Sequence, residues 1–341
     1  MQIAESDIDE ILLRLSPEIE QLVSKPVYIT GGSGFVGRWI IESLTRAARK
    51  LGTNSKIISL NRSTLPWQRN LVEQGLLHVV NADITTDLHV DGDVGYVFHC
   101  ATPASAFLNE TNPLEMQRVI EAGAESVIKR FSNSSTKVVN VSSGAIYGVQ
   151  PHNVRCLDDD WRSNSQFALP DSAYHRAKVA AEAKFNQTLT YSPFSVVHAR
   201  LFAFVAPFLP LDRHFAAGNF LKSAVSNQPI TITGDGRTVR TYMYGTDLVV
   251  WLIAAAISGK SGEAYNIGSP HEMTIAELAI KISQIAGSTA GVRHLGEPDL
   301  TQPAHRYVPC TTRTERALGV HLNVGLDDAI ERTVRWLRKS T

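Results

Sequence analysis

Cysteine is scarce in this chain: Cys100, Cys156 and Cys310 stand far apart and form no C-x-x-C pair. That spacing argues against a disulfide framework and a cysteine zinc site, and it fits a reducing, cytoplasmic compartment. The histidines show no H-x3-H ligand spacing, so no metal is expected. Net charge is lacking too. With 33 Lys+Arg against 33 Asp+Glu, no field gathers nucleic acid or an anionic membrane surface. No uninterrupted apolar stretch approaches the length of a bilayer span, and the N-terminus lacks the basic-then-apolar order of a signal peptide. Repeats and low-complexity tracts are absent as well. What remains is the composition of an ordinary soluble globular protein, 43% hydrophobic and 19% charged over 341 residues. A cytosolic enzyme is the starting class.

The organising stretch is Thr30-Gly31-Gly32-Ser33-Gly34-Phe35-Val36-Gly37, close behind the apolar run Val27-Tyr28-Ile29. A β-branched run, then glycines, then Phe35-Val36 opening an amphipathic segment reads as strand, tight turn and helix. Gly31 permits the turn, Gly34 lets the backbone approach a pyrophosphate, and Gly37 lets the helix pack close to the strand. The amides at that helix N-terminus face the phosphates, aided by the macrodipole. The context on both sides favours dinucleotide binding over an ordinary turn.

Before this stretch, residues 5–23 carry apolar positions three or four apart, an amphipathic helical extension expected to pack or to make a dimer contact. After it, strands are predicted at 56–60, 77–80, 94–99, 137–141 and 194–200, alternating with helices such as 113–131 and 173–189. Such alternation implies βαβ units and a doubly wound, Rossmann-type parallel sheet with helices on both faces. A ligand should lie outside the strand C-termini at the switch point. Beyond residue 200 the alternation breaks. Residues 25–200 with 245–267 read as the dinucleotide-binding domain, and 201–244 with 268–341 as a smaller substrate-covering region.

Tyr174 and Lys178 are four apart near the start of a helix, hence on one face. A free phenol has a pKa of about 10 and is a poor base. A fixed ammonium beside it, together with a cationic nicotinamide ring, favours the phenolate. Bringing the phenol to about 7 takes about 4 kcal/mol of differential stabilisation. Ser143, at the end of the fifth strand, offers a hydroxyl to the substrate oxygen that Tyr174 would protonate or deprotonate. The alternative role for a serine there is to satisfy a strand-end amide.

Thr30–Gly37, Asp83-Ile84, Ser143, Tyr147-Gly148, Tyr174 with Lys178, Arg240, Asp247 and Ala264-Tyr-Asn-Ile-Gly268 together resemble the extended short-chain dehydrogenase/reductases. More narrowly, they resemble the NAD-dependent epimerase/dehydratase family acting on nucleotide sugars. The resemblance covers roughly residues 25 to 335. It implies that Ser143, Tyr174 and Lys178 move a proton at a sugar hydroxyl while hydride passes between that carbon and nicotinamide. Lys178 would also touch the nicotinamide ribose, Asp83 with Ile84 would meet the adenine, and Ala101 would lie along the cofactor. For the sugar nucleotide, the resemblance assigns Asn219 and Arg240 to the phosphates, with Arg306 a further contact. It also implies a homodimer through the helices around 113–131 and 173–189. Phe202, Phe204 and Phe208 would either stack on a base or lie in the core.

Two departures sharpen the expectation. The 4,6-dehydratases that this chain resembles carry Asp-Glu directly after the catalytic Ser/Thr, and related decarboxylases keep the Glu. Here those positions are Gly144 and Ala145, which transfer no proton. That favours simple redox at one carbinol, as an epimerase or 4-keto reductase acting at C4 and feeding surface-polysaccharide synthesis. The alternatives are a 4,6-dehydratase with displaced acid and base groups and a non-catalytic dinucleotide-binding scaffold. Second, NAD users in the family commonly place Asp at the end of strand two, where this chain has Asn61 and Arg62. A guanidinium suits a 2′-phosphate, so the cofactor is NADP or NAD, with NADP favoured.

Overall fold

Short, β-branched, apolar runs bounded by glycine, proline and polar turns form the strands of the sheet. The computed structural model describes every residue except 1, 54–55, 87, 104–105, 162–171, 212–214, 299 and 341. The strands in chain order are β1 (Val27–Thr30), β2 (Ile57–Asn61), β3 (His78–Asn81), β4 (Tyr96–His99), β5 (Lys137–Ser143) and β6 (Ser195–Leu201). Then come β7 (Ala203–Phe204), β8 (Ile230–Ile232), β9 (Val239–Arg240), β10 (Tyr242–Met243), β11 (Ala264–Ile267), β12 (Met273–Thr274) and β13 (Val292–His294). Seven of them make one sheet in the order β11-β6-β5-β4-β1-β2-β3, every pair parallel. The order runs outward from β1 in one direction and then from β4 in the other, so the switch point lies between β1 and β4. The remaining short strands pair two by two.

The helices are α1 (Glu5–Val23), α2 (Phe35–Lys50), α3 (Pro66–Glu73), α4 (Ala106–Thr111), α5 (Pro113–Phe131), α6 (Ala173–Thr188) and α7 (Ala216–Val225), then α8 (Gly245–Ser258), α9 (Ile275–Ile285), α10 (Thr312–Leu318) and α11 (Leu326–Ser340). One core lies between the sheet and α1, α2 and α8; the other lies under α5 and α6 on the opposite face. Helix α8 is apolar nearly all round because it is packed nearly all round, by α1, α2 and the sheet. Its first residue must be glycine for a steric reason: a methyl group on Gly245 would sit 2.3 Å from the Trp39 ring.

The N-terminal helix packs within its own chain, kinking at Leu15 ahead of Pro17. Arg14 meets the fully buried Asp247 at 2.6 Å, and the same carboxylate accepts the backbone N–H groups of Asn323 and Val324. Asp247, one of the positions that carried the family resemblance, thus ties three distant segments together.

The cysteine expectation needs correction. Cys156 and Cys310 form a disulfide. They are 154 residues apart, so spacing gave no warning, yet an isolated bridge between Leu157 and Pro309 runs the two segments side by side with the Cα atoms 5.0 Å apart. Only Cys100 is free.

Candidate active site

The glycine stretch folds as its residues dictate. Gly31 takes a positive φ of 67°, and a methyl group there would lie 2.7 Å from the backbone of Ala101. Ala101 is fixed from the other side, its N–H donating to Thr30 Oγ1 at 3.2 Å. A methyl on Gly37 would lie 2.5 Å from the Gly31 carbonyl oxygen, so α2 can approach the turn only without one. At Gly34 a methyl would meet nothing closer than 3.3 Å, which leaves that stretch of backbone open to a ligand. Gly34 caps α2 with no side-chain hydrogen bond, so the amides of Phe35, Val36 and Gly37 remain to be satisfied. A bare helix N-terminus behind a glycine turn, at the switch point of a parallel sheet, fits a dinucleotide pyrophosphate.

At the end of β2 the picture is mixed. Asn61 is turned inward, accepting from Ser59 Oγ at 2.9 Å and donating to Gln68 Oε1 at 3.2 Å. Its carboxamide is therefore occupied by protein partners. Arg62 is exposed, and its charge helps hold the Asp83 carboxylate below the usual range, behind the larger effect of two hydrogen bonds from Thr85. Ile84 is buried behind Asp83 against Gly123.

Ser143, Tyr174 and Lys178 come together at the C-terminal edge of the sheet. Ser143 is the last residue of β5 and caps a single 3-10 turn, Gly144–Tyr147, accepting from Ala145 N at 3.1 Å. Tyr174 and Lys178 lie on α6, whose N-terminus is capped by Ser172 and tied down by Asn109 Oδ1, which accepts from Tyr174 N at 3.0 Å. His175 Nδ1 contacts the Ala145 carbonyl at 2.6 Å, joining α6 to the turn that follows Ser143. Ser143 lies near enough to the Tyr174 phenol to favour its ionised form.

The lysine differs from the simplest expectation. Its ammonium stands 5.9 Å from the Tyr174 ring centre and donates to the Val141 carbonyl at 2.8 Å and to Thr102 Oγ1 at 2.9 Å. Burial pushes Lys178 down to about 8. Burial also raises Tyr174, outweighing the nearby Ser143 hydroxyl that lowers it. The phenol therefore rests protonated. Behind the lysine, His99 is pushed down to about 3 by burial and then by Lys178, so it stays neutral and bonds Thr30 Oγ1 at 2.9 Å.

The substrate-side residues divide. Arg240 is half-buried over the Tyr307 ring at 5.4 Å and has no carboxylate partner among the described residues. Its guanidinium donates to the Val239 carbonyl at 3.2 Å. A desolvated guanidinium without an acid is suited to an anionic ligand. Arg306 is engaged already, paired with Glu272 at 2.6 Å. Asn219 is exposed in the first turn of α7. The aromatic trio packs on protein: Phe202 against Tyr307 and Tyr147, Phe204 against Phe35, and Phe208 beneath Arg38.

Sequence reasoning missed Tyr307. Its hydroxyl lies beside Gly144 and donates to the Leu201 carbonyl at 3.5 Å, on a segment brought in beside β9, where Tyr307 N donates to the Val239 carbonyl at 3.1 Å. A methyl on Gly144 would fall 2.6 Å from both the Tyr307 hydroxyl and the Phe202 ring. The space beside that glycine is thus filled by aromatic groups. No local pattern around residue 307 signals this. The one available hint was the unusual glycine after Ser143.

The chain is 24% identical to UDP-glucuronic acid decarboxylase 1 of Xenopus tropicalis over 319 residues, 92% of this chain and 72% of the relative. It is also 24% identical to the dTDP-glucose 4,6-dehydratase of Streptomyces niveus over 338 residues, 92% of each. Among solved structures, UDP-glucose 4-epimerase of Thermotoga maritima superposes with a TM-score of 0.76 at 20% identity, covering 92% of this chain and 99% of the other. At that identity the superposition shows the fold alone. The model of the NAD dependent epimerase/dehydratase family matches residues 27–268, from the first strand of the sheet to the end of its last, and the chain belongs to that family.

Proposed function

We propose that this protein is an NAD(P)-dependent nucleotide-sugar epimerase or 4-keto reductase acting at a single sugar carbinol, C4. The observation that carries the reading is the meeting of Tyr174, Ser143 and Lys178 beside the glycine turn, with no acid or base at 144 or 145. Tyr174 holds the proton exchanged with the sugar oxygen, Ser143 hydrogen-bonds that oxygen, and Lys178 supplies positive charge to the phenol and a donor to the cofactor ribose. Bound nicotinamide supplies or accepts the hydride. Gly31, Gly34 and Gly37, with the α2 amides of Phe35 and Val36, hold its pyrophosphate, and Ala101 lies against the turn. Arg62 favours NADP, and Asp83 meets the adenine. Arg240 takes the substrate phosphates, with Asn219 at the entrance of the covering region formed by 201–244 and 268–341.

A phenol that rests protonated suits a proton donor, so reduction of a 4-keto sugar starts from the state at hand. The filled space beside Gly144 weighs against 4,6-elimination and against decarboxylation, both of which need a further proton-transfer group there. Incubating purified protein with dTDP-4-keto-6-deoxyglucose and NADPH should consume cofactor, or UDP-glucose with NAD+ should yield UDP-galactose. Carbon dioxide from UDP-glucuronate, or a 4-keto product from dTDP-glucose, would overturn the assignment in favour of a decarboxylase or dehydratase. A homodimer through α5 and α6, which expose Leu114 and Val179, is part of the proposal and is checked by light scattering.

A further inference from the structure

A buried ammonium has three hydrogens to place and no lone pair to accept with. At Lys178 one goes to the Val141 carbonyl on β5 at 2.8 Å. Another goes to Thr102 Oγ1, just beyond the end of β4, at 2.9 Å. The third meets no acceptor among the described residues. The ammonium therefore straddles the C-terminal ends of two neighbouring strands. One bond alone would leave its tetrahedral head free to turn, and the second bond stops that rotation. Thr102 thus decides where the third N–H lies.

Thr102 is itself tied to the glycine turn. The Thr30 carbonyl accepts from Cys100 N and Thr30 Oγ1 accepts from Ala101 N, each at 3.2 Å. Thr102 N donates in turn to the Cys100 carbonyl at 2.9 Å. Ala101 lies so close to Gly31 that a methyl group there would meet its backbone at 2.7 Å. The backbone that shapes the turn runs, one residue later, into the hydroxyl that holds the lysine.

Resting on the catalytic reading above, we propose that Thr102 is a positioning residue, whose hydroxyl oxygen orients the Lys178 ammonium and leaves its third N–H for the cofactor ribose. An uncharged acceptor suits the task. A carboxylate in its place would cancel the positive field that the lysine exerts on the Tyr174 phenol, whereas a hydroxyl favours the charged lysine and adds no charge of its own. The other titratable groups around the ammonium keep one state near pH 8. His99 and Cys100 stay neutral, pushed by burial to about 3 and about 12, Tyr174 rests protonated, and Glu182 on α6 is paired with Arg200 at 2.7 Å.

The test is carbon-13 NMR of protein labelled at the lysine Cε, titrated through neutral and alkaline pH, which needs no knowledge of the sugar. Wild type should show one lysine titrating near 8 that is absent from Lys178→Met. Thr102→Val keeps the side-chain shape but removes the acceptor, and should lower that titration by about one pH unit. Thr102→Ser keeps the hydroxyl and should leave it at the wild-type value. In steady state with whichever sugar proves active, the alkaline limb of reduction should move down with the titration in Thr102→Val, with KM and the thermal midpoint little changed. An unmoved or raised lysine titration in Thr102→Val, or equal shifts in the Val and Ser variants, overturns the inference while leaving the catalytic reading intact. Full turnover by Lys178→Met would overturn the catalytic reading first, and the inference with it.

Discussion

The glycine turn and the Ser143–Tyr174–Lys178 cluster lie on one edge of one sheet, yet they are built in opposite ways. The turn works through what is missing. Each key position lacks a Cβ, the ligand-facing groups are backbone amides, and at Gly31 and Gly37 the neighbours sit where a methyl group would be. The cluster works through what has been buried at a cost, namely an ammonium, two phenols and an imidazole removed from water and held by fixed partners. A backbone site tolerates no added atom but is indifferent to pH. A cluster of buried polar groups tolerates conservative replacement of shape but changes its chemistry with every proton.

That contrast can be broken or sharpened by experiment. The largest effect is expected from Tyr174→Phe, which should lower turnover by roughly 10³-fold while leaving the thermal midpoint and NAD+ affinity near wild type. Gly31→Val should do the reverse. It forces a β-branched residue to a φ of 67° against the Ala101 backbone, costing roughly 2–4 kcal/mol in a denaturant melt and abolishing dinucleotide binding by calorimetry. A Tyr174→Phe variant that unfolded, or a Gly31→Val variant that still bound NAD+, would erase the distinction.

The pH response is next in size. Burial lowers Lys178 to about 8, so the side chain is charged below that value and neutral above it. Sugar reduction, which needs a protonated Tyr174 and a charged lysine, should decline as pH rises through about 8. NAD+ binding at the glycine turn should stay flat over the same range. Lys178→Arg keeps its charge into strong alkali, so the descending limb should disappear even though the activity level falls. The smallest effect is expected at the exposed Arg62, where Arg62→Ala should weaken NADP+ about tenfold and NAD+ hardly at all. Equal losses for both dinucleotides would remove the reason for preferring NADP.

The same contrast explains what could be read from the sequence. The sheet, its parallel sense and the strand positions were legible because period, β-branching and punctuating glycines are local signals. Strand ends came within about two residues of those observed. The helices α3 and α10 were not foreseen; each is short, and neither carries a long periodic face. Tyr174 and Lys178 were legible as a pair because four residues is one helical turn. Ser143 was legible from its place at a strand end. Tyr307 was not, since it comes beside Gly144 through a meeting of segments far apart in sequence, and no property of its neighbours records that meeting. Asn61 and Arg306 show the converse. Both types suit a ligand, but Ser59 and Gln68 occupy the first and Glu272 the second, and those partners are set by tertiary structure. The disulfide escaped for the same reason.

The ends of the chain have a practical consequence. Arg332 on α11 bonds both Asp7 and Glu10 on α1, and Trp336 Nε1 donates to the Gln2 carbonyl at 3.1 Å. A fluorophore attached near residue 2 and another near 338 would be neighbours, bright in energy transfer while α1 is seated. Loss of that transfer during gentle denaturation would time the release of the first helix against the melting of the sheet.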